Sequence, residues 1–172
     1  MNFSTYELAI PSFIKSLQAL SDILEKARAH AEAKKIDPTV LLQTRLIADQ
    51  FPLSKQIQIT CDTAKFFVSR LTDIEAPKHP DAEVSLDDFQ ERIKSTISFL
   101  EAVTPEKFNQ CADKTQSFPW NPGMYLDAKT YIIDYAIPNF YFHYTTAYSI
   151  LRASGVDVGK ADYIGEIAWH KG

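Results

Sequence analysis

The stretch LSKQIQITCDTAKFFVSRL, residues 53–71, decides the fold. Its apolar residues recur at spacings of three and four, which is the period of one face of an α-helix. They are Leu53, Ile57, Cys61, Ala64, Val68 and Leu71. A helix with one apolar stripe must bury that stripe against other elements, so the rest of the chain has to supply partners.

Three further segments repeat this pattern. Residues 5–35 carry a stripe made of Phe13, Leu17, Leu20, Leu24, Ala27 and Ala31. Residues 86–103 carry a stripe made of Leu86, Phe89, Ile93, Ile97, Leu100 and Val103. Residues 128–154 carry a stripe made of Ala136, Phe140, His143, Ala147, Ile150 and Ser154. Four such segments predict an all-α, up-and-down four-helix bundle in a single domain, residues 1–172.

Prolines and caps set the expected helix boundaries. Asp37-Pro38 is typical of a helix start and predicts a short helix over residues 38–48. Pro52 then interrupts the pattern, so residues 39–71 are expected to form one helical arm bent at that proline. Pro11 predicts a kink or a start in the first helix.

The segment before the last helix loses the helical period. Residues 117–123 read SFPWNPG, which is rich in turn residues and aromatic rings, and we expect a small hairpin or a lid-like loop here. Gly155 lies where a left-handed glycine would end the last helix. The tail, residues 156–172, is expected to wrap back onto the bundle.

Composition excludes several classes of protein. The formal charge of −4 and the absence of a basic run longer than Lys34-Lys35 argue against a nucleic-acid partner. No apolar run is long enough to span a membrane. Two cysteines far apart, with no CxxC pair and no basic, apolar leader at the amino terminus, predict a cytoplasmic protein.

His143 is the residue closest to chemistry. It lies on the inward stripe of the last helix, and Asn139 precedes it by one turn on the same face. Imidazole binds zinc or nickel well, and helical bundles commonly house such sites. An amide oxygen is a poor ligand for these metals, however. The alternative is a buried core histidine satisfied by a carboxylate or a hydroxyl group.

Polar residues around Pro52 could complete a site with His143. They are Asp49, Gln56 and Asp62. Asp49 could equally cap the helix break, where backbone groups lack helical partners.

Aromatic residues suggest two further roles. Tyr144 and Tyr148 share one face of the last helix, where tyrosines could line a pocket or form a subunit interface. Tyr144 is therefore a candidate pocket residue, and so is Trp120 in the aromatic segment 117–123. A homodimer that forms through the tyrosine-bearing helix is the expected assembly.

Two blocks of the sequence resemble a known family. They are PNFYFHYTTAYSILR with GVDVGKADYIG, residues 138–152 and 155–165, and LIADQFPL with QIQ, residues 46–53 and 56–58. Both are similar to the signatures of an uncharacterised bacterial family of domains of unknown function, placed near the DinB/YfiT-like metalloenzymes. The resemblance implies a DinB-like helical bundle, often a homodimer.

The resemblance also implies where a metal would bind. Metal-bearing DinB-like proteins carry one histidine on the second helix and an HxxxH pair on the last, and His143 matches the final member by its spacing to Arg152 and Gly155. Asn139 stands at the first position of the pair, and residues 38–72 contain no histidine. Two of the three implied ligands are therefore missing.

Three functions stay open on this basis, and the sequence does not decide whether the protein is an enzyme. The first is a dimeric bundle with a degenerate metal or small-molecule pocket around His143, Asn139, Asp49, Gln56, Trp120 and Tyr144. The second is a metal-dependent enzyme, a thiol-dependent transferase or isomerase, with zinc or nickel on His143. The third is a non-catalytic interaction protein.

Overall fold

The computed structural model describes residues 4–170, so the ends of the predicted domain and of the predicted tail lie outside it. Helices account for most of this chain: α1 (Thr5–Lys34), α2 (Pro38–Gln43), α3 (Leu53–Leu71), α4 (Leu86–Glu101), α5 (Ala128–Thr130), α6 (Ile137–Ala153) and α7 (Lys160–Ile164). Short 3-10 turns follow α4, and a two-stranded hairpin, β1 (Thr115–Ser117) and β2 (Tyr125–Asp127), precedes α5. The mostly helical fold predicted from the sequence is confirmed.

Local sequence signals explain where the helices begin and end. Ser4 and Glu7 form a capping box at the start of α1, and Ser85 and Asp88 form another at the start of α4. Gly155 follows α6 with a φ of 86°, as predicted, because only glycine adopts this conformation without strain. Pro11 lies inside α1 and does not start it.

The predicted helical arm over residues 39–71 is wrong. The α2 helix ends at Gln43, and residues 44–52 form a loop that Leu53 closes by donating its N–H to the carbonyl of Thr44 at 3.0 Å. Leu46 and Ile47, which would extend the helix, lie in this loop and are exposed. Pro52 therefore starts α3 as its N-cap residue, with no bent helix before it.

The apolar stripes of the four long helices meet in one core. The buried residues include Phe13 of α1, Phe67 of α3, Phe89 of α4 and Phe140 of α6, all of which are almost fully withdrawn from solvent. Phe13 is central, since its ring stacks on Phe140 at 4.2 Å and meets Phe67 edge-on at 5.4 Å.

The order of the helices around this core differs from a simple up-and-down order. Among the long helices of the described chain, α1 packs mainly on α4 and α6, and α3 packs on the same two helices. The consecutive helices α1 and α3 thus lie diagonally across the core. The short α2 contacts α1, α3 and α4, and it carries the chain across the end of the bundle between them.

The segment before α6 forms the predicted hairpin. Residues 115–117 pair antiparallel with residues 125–127, with Gln116 opposite Leu126. Gln116 also donates its side-chain N–H to the carbonyl of Arg70 at 2.7 Å, which fixes the hairpin to the end of α3.

The predicted last helix is not regular over its whole length. After α5, residues Tyr131–Ala136 are π-helical, and the α-helix resumes at Ile137. Pro138 has no N–H for the ladder, and it accounts for a break at this point. No helix within residues 4–170 combines the length and apolar character that crossing a bilayer requires.

Candidate functional site

His143 lies at the contact between α6 and α3, with its side chain buried. Its ring nitrogen Nδ1 is 2.7 Å from Oε1 of Gln56, which is itself buried on the facing side of α3. The amide nitrogen of Gln56 donates to the carbonyl of Phe51 at 2.9 Å. This chain of hydrogen bonds joins α6, α3 and the loop before α3. The structure therefore brings together two of the residues predicted for the site, His143 and Gln56.

The hydrogen bonds determine the state of the imidazole. Since the Gln56 amide group turns its N–H toward Phe51, its oxygen faces His143, and Nδ1 of His143 must carry the proton that it donates. Burial lowers the pKa of His143 from its ordinary value of 6.5 to about 4, so the ring is neutral near neutral pH.

The other ring nitrogen, Nε2, is then an unprotonated acceptor. It makes no hydrogen bond to any residue in the described chain, and it is not among the buried side-chain atoms that lack a partner there. It therefore keeps contact with solvent. A neutral histidine of this kind can accept a hydrogen bond, take up a proton or ligate a metal.

Asn139 faces α3 as predicted, one turn before His143, but it contacts a different residue. Its side-chain N–H donates to the hydroxyl of Thr63 at 2.8 Å. This bond uses one of the two N–H groups of the Asn139 amide, so its oxygen and its second N–H could still serve a ligand near His143.

Asp49 and Asp62 do not join His143. Asp49 is exposed in the loop before α3, and α3 has no side-chain cap, so the expected capping role of Asp49 is not observed either. Asp62 lies on another face of α3 and forms ion pairs with Lys65 at 2.8 Å and Arg92 at 2.7 Å.

Tyr144 and Trp120 also lie apart from the His143 contact. Tyr144 is fully buried, stacks on Tyr163 at 4.4 Å and donates its hydroxyl to the carbonyl of that residue. It is therefore an internal anchor for α7, and it is not available as the predicted subunit contact. Trp120 lines a separate cavity at the hairpin. The predicted single pocket of six residues thus divides into several environments.

The donors around His143 do not fit a zinc or nickel ion. The side-chain hydrogen bonds between α3 and α6 at this contact involve the amides of Gln56 and Asn139 and the hydroxyl of Thr63, all neutral, and zinc sites in proteins use thiolate, imidazole or carboxylate donors. Within residues 4–170 no three histidine, cysteine or acidic side chains cluster as a metal site would require. A metal on His143 would have one good protein ligand.

The sequence reasoning missed a second buried polar group. Arg92 of α4 is 1% exposed along its side chain, and it pairs with Asp62 at 2.7 Å, Asp81 at 3.1 Å and Glu83 at 2.5 Å. Asp81 and Glu83 belong to the loop between α3 and α4. Two features of the sequence could have indicated this ion cluster. They are an arginine beside the apolar stripe of α4 and the acidic residues that precede Ser85, the N-cap residue of α4.

Comparisons with known proteins agree with this architecture. A family model described as a domain of unknown function, DUF1993, matches residues 5–164. The crystal structure of a DinB family member protein from Shewanella denitrificans is similar at 47% sequence identity, over 97% of this chain and 95% of that one, with a TM-score of 0.92. No curated protein sequence matches the chain significantly. Because the family model covers nearly all of the described residues, the chain belongs to the DUF1993 family and is DinB-like.

Proposed function

We propose that this protein is a metal-independent DinB-like helical bundle that binds a small molecule at His143. The observation that carries this proposal is the 2.7 Å contact between His143 Nδ1 and Gln56. It holds the imidazole in one neutral tautomer and turns the lone pair of Nε2 toward solvent. A ligand that donates an O–H or N–H group suits this nitrogen, because charged partners and metal ligands are missing around it.

The neutral side chains around His143, and not this contact itself, disfavour the metal-dependent enzyme. Metal-binding histidines usually donate their second ring N–H to a fixed acceptor, and Gln56 provides such an acceptor. Among the described residues, the site lacks the further ligands that a metal ion on His143 would need. Zinc titration by calorimetry of protein prepared without a chelator should therefore give no stoichiometric binding. Tight binding of one equivalent would contradict the proposal.

The ligand itself is best sought by comparing matched variants. A panel of small alcohols, amides and amines is screened by ligand-observed NMR against the wild-type protein, His143→Leu and, as the control, His30→Leu. His30 lies on α1, away from the α3–α6 contact. We expect compounds that bind the wild type and the control but not His143→Leu. Identical behaviour of all three proteins would remove the proposed role of His143.

A homodimer is the second part of the proposal, and the apolar surface around His143 supports it. Phe51 is 53% exposed and Phe142 is 56% exposed, and both adjoin the His143–Gln56 contact. Ile47, in the same loop as Phe51, is 62% exposed. Large apolar side chains grouped in this way are typical of interaction surfaces. This face replaces the buried Tyr144 as the candidate interface.

Light scattering tests the dimer. We expect a dimeric wild type, a monomeric Phe142→Asp variant and a dimeric Ile133→Asp control, in which an equally exposed apolar residue elsewhere is changed. A monomeric wild type would exclude the homodimer and leave the small-molecule proposal untouched. The cytoplasmic location stays a prediction that rests on cysteine usage.

A further inference from the structure

A second cavity lies between the hairpin and the π-helical segment, with a volume of about 220 Å³. Aromatic and long apolar side chains make up nearly all of its wall: Phe118, Trp120, Met124, Tyr125, Leu126 and Tyr135. None of them belongs to the His143 site. Mostly apolar walls with few polar groups are characteristic of small-molecule sites.

Three rings form an angled platform in this cavity. The centroid of Phe118 is 4.5 Å from that of Trp120 and 4.8 Å from that of Tyr135, and the other two centroids are 6.4 Å apart. The planes of Trp120 and Tyr135 differ by 29°, so both rings present their faces in similar directions. Such a platform favours a flat ring that can stack on it in an offset arrangement.

The cavity wall is held in place on both sides. Pairing of β1 with β2 fixes the hairpin, and Gln116 ties it to the Arg70 carbonyl. On the other side the π-helical segment positions Tyr135, which stacks on Tyr131 at 6.0 Å. Single π-helical turns occur frequently at functional sites. The cavity is therefore largely preformed, which reduces the entropy that a ligand must offset.

Three of its side chains are unusually exposed for their size. Trp120 is 66% exposed, Met124 is 60% exposed and Tyr125 is 66% exposed, whereas Phe118 at the base is 8% exposed. Covering the first three would remove a large apolar area from water, which is favourable. A ligand that fills 220 Å³ is a one- or two-ring molecule, because a helix or strand is far too large.

The charges around the cavity indicate whether a cationic, an anionic or an uncharged ligand fits it. Among the described residues no charged side chain lines the cavity, and Asn121 contributes an amide group. Aromatic cages can bind quaternary ammonium groups, but here the guanidinium of Arg70 already lies 4.9 Å from the centroid of Phe118. A second cation on the same ring system would be repelled by Arg70. Arg70 does not itself line the cavity, so among the described wall residues an anion has no cationic partner. The ligand that fits is uncharged.

We propose that the hairpin cavity is a binding site for an uncharged, planar aromatic small molecule, with Trp120 and Tyr135 as its stacking surfaces. Asn121 can supply one hydrogen bond to a polar group on the ring. This site is separate from His143 and does not depend on the function proposed for that residue.

The two tryptophans of the chain provide a built-in test, since Trp120 lies in the cavity and Trp169 lies in the tail. Indole is titrated into ¹⁵N-labelled protein, and the two indole Nε1–H signals are followed by NMR. We expect a saturating shift of the Trp120 signal and no shift of the Trp169 signal. Equal shifts of both signals, or shifts that never saturate, would overturn the proposal.

Two further probes and two variants define the ligand class. Benzyltrimethylammonium tests the cationic alternative and cyclohexanol tests the need for a flat ring, and both should bind at least about tenfold more weakly than indole. Met124→Lys, which places a charge at the cavity, should weaken indole binding about tenfold, while the matched control Ile133→Lys should not change it. If the ammonium or cyclohexanol binds as tightly as indole, or Met124→Lys has no effect, the proposal is wrong.

Discussion

His143 and Arg92 are both polar side chains withdrawn from solvent between helices, but the fold accommodates them in opposite ways. His143 is neutral and needs one hydrogen bond, from Nδ1 to Gln56. Arg92 is charged and has three carboxylates, which in turn are shared with Lys55 and Lys65. In that cluster three cations face three anions: Arg92, Lys55 and Lys65 against Asp62, Asp81 and Glu83.

The difference shows what each region can do. The ion cluster pairs each of its three carboxylates with a cation and fixes the loop over residues 81–83 to α3 and α4, although the buried Nε of Arg92 has no hydrogen-bond partner among the described residues. The neutral pair at His143 leaves one nitrogen unused. The Arg92 cluster, which has more ion pairs and hydrogen bonds, is therefore the structural region. The His143–Gln56 contact, which has fewer, is the candidate site.

The largest effect is expected when Arg92 is replaced by Met. This change leaves Asp62, Asp81 and Glu83 without their shared partner, and removing one member of a buried ion cluster typically costs about 3–5 kcal/mol. Urea unfolding measures the loss in the free energy of unfolding. The control Lys94→Met, on the same helix but 75% exposed, should change it by less than about 0.5 kcal/mol. Equal effects of the two changes would show that the Arg92 cluster contributes little.

Acid should affect the two regions in different pH ranges. The pKa of His143 is lowered from 6.5 to about 4 in the folded protein, so between these values the unfolded chain binds a proton that the folded chain does not. Stability is therefore unaffected above pH 6.5 and falls as the pH drops toward 4, by at most about 3 kcal/mol. His143→Leu should reduce this loss when unfolding is followed at several pH values. An unchanged pH profile would contradict the neutral, buried state of His143.

The Arg92 cluster should respond at lower pH. Burial opposes the ionisation of Glu83 and Asp81, but hydrogen bonds and charge from Arg92, with Lys55 for Asp81 and Gln58 for Glu83, keep the pKa of each carboxyl below its ordinary value. A lowered carboxyl pKa stabilises the folded state above the ordinary values of 3.8 and 4.5, and this contribution is lost only as the pH falls below them. Burial also lowers the pKa of His79 below its ordinary value of 6.5, so this residue too reduces stability below pH 6.5, and the comparison of variants is needed.

A smaller effect is expected for Gln56→Leu. The substitution keeps an apolar body between α3 and α6 but leaves the Nδ1 proton of His143 and the carbonyl of Phe51 without their partner. An unsatisfied buried donor costs about 1–3 kcal/mol, measured by thermal unfolding. Gln58→Leu is a poor control because Gln58 bonds to Glu83 of the ion cluster, so Gln43→Leu, at the exposed end of α2, serves instead. A loss in the control as large as that in Gln56→Leu would show that the bond to His143 is not responsible.

The smallest effect is expected when a surface ion pair with a similar N–O distance is broken. Arg28 lies 2.6 Å from Asp87, whose side chain is 79% exposed. Water and salt screen this pair, so Asp87→Asn should cost less than about 1 kcal/mol, and less still in high salt. If its cost matched that of Arg92→Met, burial would not explain the difference between the two ion pairs.

The sequence predicted much of the fold because apolar spacing and caps act locally. The stripes that include Phe13, Val68 and Phe140 required no knowledge of the partner helix. The break after Gln43 and the π-helical turn before Pro138 were missed, because the apolar pattern continues through both and tertiary contacts decide them. The ring order of the helices was missed for the same reason.

The site was predictable only in part. The inward position of His143 follows from the helical period, and Gln56 was among its proposed neighbours. Asp62, one and a half turns further along α3, faces Arg92 instead, since a shift of this size turns a side chain to another face of the helix. The path of the hairpin places Trp120 away from His143, and the spacing of residues along the chain does not predict that path.

The diagonal placement of α1 and α3 has a consequence for how the chain is made. When α1 and α3 have left the ribosome, neither has met its main partners, because these are α4 and α6, residues 86–101 and 137–153. Contacts between segments so distant along the chain slow folding, and they leave the early apolar stripes uncovered while synthesis continues. Until α4 has been synthesised, neither apolar stripe can be buried against the long helices that cover it in the folded protein.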